Sequence, residues 1–211
     1  MTYVASVILA VAAFMGALQW AHLRFDAWRI APGDGHRQSN RYRNVLANGT
    51  VALGVYLVGI VVFGTHLVDP SRPSRWWAPF AVLLLYDFGY YWLHRGLHLP
   101  KLMRRIHWVH HRNLHPTAID SLYLHPFETV AGLVVLLASV AIVGPMGLGA
   151  FVAVSLLHTV VNLLHHANLQ LPFRLAWLPN HFAERHDIHH SRGGNYGVIT
   201  PLWDWLFGTR G

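Results

Sequence analysis

Three short stretches of this sequence repeat one residue type at the spacing of metal ligands. HRGLH sets His94 and His98 four residues apart, HWVHH sets His107, His110 and His111 at i, i+3 and i+4, and HDIHH repeats that spacing at His186, His189 and His190. On a helix, residues three and four apart share a face. A pair at i, i+4 can therefore grip one ion, and a triple at i, i+3, i+4 can serve two ions lying close together. A four-coordinate zinc site uses three or four imidazoles, so eight favour a dinuclear centre. Seventeen of the 211 residues are histidine, and fourteen of them fall between His94 and His190. Residue type alone leaves the metal open, because imidazole suits iron, copper, zinc and nickel.

What the sequence lacks narrows the chemistry. A carboxylate-bridged di-iron bundle needs about four glutamates with Glu-x-x-His pairs. Here Glu128 and Glu184 are the only glutamates, and neither opens such a pair. There is no HExxH or its inversion, so no glutamate stands beside the histidines as the general base of a zinc hydrolase. With no cysteine, the chain offers no disulfide, no CxxC pair and no thiolates for an iron–sulfur cluster. It also lacks a GxGxxG fingerprint and a P-loop, so a redox reaction would draw its electrons from a separate protein.

The elements that must carry these histidines are those of a membrane protein. Apolar residues make up 54% of the chain and charged residues 12%, against roughly 25% charged in soluble domains. The pattern predicts an all-α integral membrane fold of about four to five transmembrane helices, including a helical hairpin, under a histidine-rich cytoplasmic cap. The spans run from Tyr3 to Trp20, from about Val45 to Val68, through APFAVLLLYDFGYYWLH (Ala78 to His94), and then as the hairpin Thr129 to Val143 and Leu148 to Leu164, turned by VGPMGLG. The first segment is read as a retained helix rather than a signal peptide, since no basic region precedes it. PGDG marks a turn in the loop after it, DPSRPSR breaks the second helix, and Trp76 and Trp77 suit an interfacial belt. Asn168 to Gly211 is too polar to span and should dock on the membrane face. The whole reads as one membrane domain, 1–211, with N-terminal spans and a basic loop in 1–75 and the histidine-box region in 76–211. Of the sixteen Lys and Arg residues, only Arg72 and Arg75 fall on one side of these spans. The positive-inside rule then puts the histidine clusters on the cytoplasmic face. The basic excess is assigned to topology and anionic headgroups, and no nucleic-acid partner is expected.

DFGYYWLHRGLH, IHWVHHRNLHPTAIDSLYLHPFE and ERHDIHHSRGGNYGVITPLWDWLFGT together resemble the signature of the fatty acid hydroxylase and sterol desaturase superfamily of integral-membrane di-iron enzymes. The likeness runs from about Asp87 to Thr209. It implies two iron ions held almost wholly by histidine, with zinc able to replace them in a purified sample, dioxygen as co-substrate, and oxidation of a lipid C–H bond. Hydroxylation or desaturation of a sterol, fatty acyl, sphingoid, ether-lipid or isoprenoid substrate would all fit. The electron donor would be a separate ferredoxin, cytochrome or reductase.

Carried onto this chain, the resemblance makes His94, His98, His107, His110, His111, His186, His189 and His190 the metal-binding and catalytic set. It adds a ligand from the helix before the third box, where His166 of HHAN matches best. His165, Asn162, His158 and His125 are further candidates for the shell. Asn162 stands where some relatives carry histidine, His158 is read first as a core residue, and His125 and His115 first as supporting ones. Asp87, Glu128, Asp187 and Asp204 are candidates to accept the second N–H of ligand imidazoles, with a helix cap or a surface charge as the equal alternative for each. Asn195 and Gly197 would shape the NYG loop, while Trp205 departs from the basic residue usual at its position. His22, His36, His66 and His181 are given no role.

Two readings from other classes stand beside this one. A haem-binding membrane cytochrome would place histidine pairs on facing spans and show a Soret band. A histidine-rich divalent-metal transporter would line a path with carboxylates, of which only Asp87 lies inside a predicted span.

Overall fold

A computed structural model describes residues 2–32, 40–73 and 75–211; the PGDG turn beyond Pro32, His36 and Arg37 lie outside the described residues. The described chain is helical, with isolated bridges and no strand. Helix α1 is Thr2–Arg24, α2 Arg41–Leu67, α3 Ala78–Leu97, α4 Pro100–Arg105, α5 Pro126–Val143, α6 Leu148–His165, α7 Trp177–Arg192 and α8 Leu202–Leu206. Proline sits in the first turn of α3, α4 and α5, where its missing N–H costs nothing. His125 caps α5, its Nδ1 accepting from the Phe127 N–H at 3.2 Å.

Among the described residues four helices are long and apolar enough to cross a membrane: Ser6–Arg24 of α1, α2, α5 and α6. The hairpin expected from the sequence is α5 and α6, turned at 144–147. Helix α3 is not among the four, because Asp87, His94, Arg95 and three tyrosines lower its hydropathy. It nevertheless runs between the same two ends of the bundle. Its start packs with Leu67 and Met146 in one apolar cluster, beside the bridge between Val68 and Met146, and its other end delivers His94 to His107. Twenty residues cover about 30 Å. Phe80, Leu84, Phe88 and Trp92, one turn apart on α3, form an exposed apolar row.

Helix α3 packs against both arms of the hairpin, α2 packs along α5, and α7 lies on α6. The core between them is built from Val82, Leu83 and Tyr86 of α3, Leu133, Leu136, Leu137 and Val140 of α5, and Phe151 and Val154 of α6. At Gly89 α3 and α5 approach closely, since a Cβ there would stand 2.9 Å from Val135 Cγ1. A second cluster, with Leu18, Leu163 and Leu169, joins α1 to the end of α6. There the side chain of Asn168 pairs with the backbone of Ala31 at 3.1 Å in both directions. Through these contacts every histidine box is carried to one end of the bundle, and the Val68–Met146 bridge marks the other.

Candidate metal centre

The first box ends α3, with His94 in the last turn and His98 at the C-cap. The second lies not on an α-helix but on a 3-10 turn, His107–Arg112, a six-residue segment bounded by non-helical Ile106 and extended Asn113. The third occupies the last turns of α7, which stops at Gly193 with φ +84, a left-handed conformation open to glycine. His166 caps α6.

These segments bring nine imidazoles together in two groups. His94, His98, His107, His111 and His189 form one, and His110, His166, His186 and His190 the other; within each, the ligand atoms lie within 4.8 Å of one another. Spacing at i, i+4 keeps His107 with His111 and His186 with His190, while the middle member of each triple crosses to the other group. The groups abut, with the His111 ring stacked on that of His190 at 4.3 Å between centroids.

In the first group Nε2 of His107 lies 3.2 Å from that of His94, 3.1 Å from His98 and 3.0 Å from His111, and Nε2 of His189 lies 3.3 Å from His98 and 3.1 Å from His111. In the second, His166 is 3.2 Å from His110 and 2.9 Å from His186, and His190 is 3.1 Å from both His110 and His186. An ion about 2.0–2.1 Å from each nitrogen spaces its ligand atoms roughly 2.9–3.4 Å apart, so both groups have the edges of a coordination polyhedron.

The outer ring nitrogens explain why these contacts are not ordinary hydrogen bonds. Nδ1 of His94 faces the carbonyl of Tyr196 at 2.9 Å, His110 that of Tyr123 at 3.3 Å, His166 that of Asn162 at 2.7 Å, His190 that of Asn113 at 2.8 Å, and His189 that of Gly194. A carbonyl can only accept, so each Nδ1 carries the hydrogen and each Nε2 presents a lone pair. Lone pairs converging at 3 Å repel unless a cation lies between them. Burial, reinforced by the neighbouring rings, pushes the imidazoles of His107, His110, His111, His186, His189 and His190 well below their ordinary pKa, and burial holds His98 and His166 at about 4. All are neutral near pH 7, as metal ligation requires. The donor set therefore fits two imidazole-bound ions.

His107 is held differently, its Nδ1 2.9 Å from Oε1 of the buried Glu128. The other candidate acids take other partners. Asp187 accepts from His115 Nδ1 at 2.7 Å. Asp87 accepts from the N–H groups of Val198, Ile199 and Thr200 and from the Thr200 hydroxyl, at 2.7–2.9 Å. Asp204 takes Arg185, the Thr209 hydroxyl and the N–H groups of Tyr196 and Gly197. These two carboxylates thus fix the 194–200 loop, whose carbonyls face His94 and His189. Asn195 sits in that loop at φ +53, and its carboxamide bonds the Arg185 carbonyl and the Gly211 N–H, each at 3.3 Å.

The remaining candidates lie outside both groups. His165 donates to or accepts from no ligand ring; its Nδ1 bonds the Val161 carbonyl and its ring stacks on Phe182. His158 bonds the Tyr86 hydroxyl at 3.0 Å, Asn162 contributes its carbonyl to His166, and His125 is a helix cap. Sequence reasoning missed Tyr196, whose ring packs at 5.0–5.8 Å against His94, His98 and His189, and missed every carbonyl partner.

Fold and site together define an α-helical protein with helices of membrane-crossing length and a polyhistidine centre at one end of the bundle. The chain belongs to the fatty acid hydroxylase family, whose pattern matches residues 79–209. It is 30% identical over 182 residues to methylsterol monooxygenase 2-2 of Arabidopsis thaliana, covering 79% of this chain and 66% of that protein. It is also 30% identical over 182 residues to the very-long-chain aldehyde decarbonylase GL1-11 of Oryza sativa subsp. indica, with the same coverage. Methylsterol monooxygenase 1 of Rattus norvegicus is 34% identical over 155 residues, 67% of this chain and 50% of that protein. The chain thus spans about half to two thirds of the length of these relatives. No solved structure matches it.

Proposed function

We propose that this protein is a multi-pass membrane oxygenase with a dinuclear non-haem iron centre, hydroxylating or desaturating a C–H bond of a lipid. The observation that carries the reading is the convergence of nine imidazoles into two adjacent groups, with the tautomer of five of them set by carbonyls. Bound iron would supply dioxygen activation and C–H oxidation. The chain's own part is to hold the nine ligands, to fix the Nδ1 hydrogens of six of them, and to shield the centre from water, since eight of the nine rings are buried and only His98 is half-buried. Family membership supports iron over the other metals imidazole accepts, and favours this reading over the haem and transporter alternatives.

The lipid class of substrate is supported by the relatives' names, which refer to methylsterols and very-long-chain aldehydes, both extended apolar molecules. A separate one-electron carrier would supply the electrons. The charge asymmetry supports a cytoplasmic centre: Arg72 and Arg75 flank the hairpin-turn end, and the histidine end carries Arg95, Lys101, Arg104 and Arg105. The packing of α2, α3, α5, α6 and α7 on one another supports a single membrane domain over 1–211.

Anaerobic reconstitution with ferrous iron, followed by metal analysis and lipid profiling of cells with and without the protein, tests this. Two irons per chain and an oxygen-dependent lipid product are expected. His110→Ala and His189→Ala should each lower iron to one per chain or fewer and abolish the product. One metal in the unaltered protein, or full turnover in either variant, would overturn the reading.

A further inference from the structure

Helix α2 lies outside the stretch that matches the family, yet it carries polar side chains on one face of a helix long and apolar enough to cross a membrane. Arg41, Asn44 and Asn48 stand three and four residues apart, and Asn48 is fully buried. A buried carboxamide at such a place costs free energy unless it is bonded. All three bond to one segment, 117–129, which connects the second histidine box to α5.

Arg41 grips Asp120 with Nε at 2.7 Å and Nη2 at 2.5 Å, and reaches the Thr117 hydroxyl at 2.6 Å. Asn44 pairs with the backbone of Leu124 in both directions, donating to its carbonyl at 2.9 Å and accepting from its N–H at 3.1 Å. Asn48 donates to the same carbonyl at 2.9 Å and accepts from the Thr129 hydroxyl at 2.6 Å. Leu124 and Thr129 each adjoin a group that orients a ligand. Next to Leu124 is Tyr123, whose carbonyl faces His110; next to Thr129 is Glu128, whose carboxylate faces His107.

We propose that Asn44 and Asn48, supported by Arg41, are positioning residues for the two metal groups: Asn44 sets the Tyr123 carbonyl on His110, and Asn48, through Thr129, sets Glu128 on His107. The proposal rests on the dinuclear reading. The physical basis is that the partner of Nδ1 fixes the rotation of a ligand imidazole, so loosening that partner misaims Nε2. The anchored points Leu124 and Thr129 lead to different groups, His110 belonging to one and His107 to the other; Asn44 holds the first, Asn48 touches both, and the Thr129 hydroxyl serves the second alone.

Cobalt(II) titration of the full chain in detergent, followed by visible absorption and by thermal melting of the metal-free protein, tests this. The bands lost in His186→Ala and in His98→Ala mark the two ions. Asn44→Ala is expected to weaken the ion marked by His186→Ala about 10- to 100-fold, and Thr129→Val the ion marked by His98→Ala by a similar factor, each leaving the other ion within about twofold. Thr129→Ser, which restores the hydroxyl, should bind both ions as the unaltered chain does. Unchanged affinities, or equal weakening of both ions in step with a lower melting temperature, would overturn the proposal. Should Asn44→Ala fail to accumulate, the Thr129 pair decides alone. If His186→Ala and His98→Ala remove the same band, the dinuclear reading itself fails.

Discussion

Replacing Glu128 by glutamine separates metal holding from fold holding, because the two effects have opposite signs. The carboxylate is 2% exposed, its Oε1 lies 2.9 Å from His107 Nδ1, and its Oε2 is buried with no hydrogen-bond partner among the described residues. With an ion bound, the pair is a charge-assisted hydrogen bond worth about 1.5–3 kcal/mol. At 1.36 kcal/mol per tenfold, that is about a 10- to 100-fold loss of affinity for the ion of the first group, in agreement with the usual effect of removing such a partner. Without metal the same change replaces a buried, half-satisfied carboxyl group, costly to keep charged there, by a neutral amide of nearly the same shape. The unsatisfied amide left in its place costs about 1–3 kcal/mol. The metal-free variant should therefore melt no lower than the unaltered protein while holding metal at the first histidine group more weakly. Cobalt(II) or ferrous titration and thermal melting in the same detergent read both quantities. Affinities within twofold for both ions, or a metal-free protein that melts several degrees lower, would refute the reasoning.

Two further outcomes follow from the same contacts. His166 stays neutral down to about pH 4 in the fold but titrates near 6.5 when unfolded, so between those values the unfolded state alone binds the proton. The metal-free fold should lose stability as pH falls through that window, by about 3 kcal/mol from this residue, a contribution that is constant above it; a melting temperature that stays flat from pH 7 to 5 contradicts this. Asp87→Asn leaves the 198–200 backbone short of acceptors and loosens the loop whose carbonyls face His94 and His189. The expected result is weaker binding of the first ion by about tenfold or more with the second unaffected, read by the same titration.

Much of this architecture was legible because it depends on residue type and period. Unbroken apolar runs specify the long helices, and glycine with proline places the hairpin turn. The predicted arms, Thr129 to Val143 and Leu148 to Leu164, differ from α5 and α6 by at most three residues. Helix α3 was found by the same rule, although Asp87 lowers its hydropathy, because Asp87 faces protein rather than lipid. The histidine spacing was equally plain, since i, i+4 pairs share a face whatever surrounds them.

Acidic residues were harder to place. Residue type leaves Asp87, Asp187 and Asp204 equally able to serve a ligand imidazole, a cap or the surface; in the structure they hold a backbone loop, His115 and Arg185. A carboxylate binds whichever donor the fold brings to it, and sequence neighbours do not reveal which.

The sequence by itself determined the helices, the membrane class, the imidazole count and the absence of a competing thiolate or glutamate chemistry. Only the tertiary structure decided how adjacent His110 and His111, and His189 and His190, divide between two groups, and which partner fixes each Nδ1. The physical reason is that five of those partners are backbone carbonyls, which every residue type carries. Their positions come from packing, including the grip of α2 on 117–129, and leave no mark in residue identity.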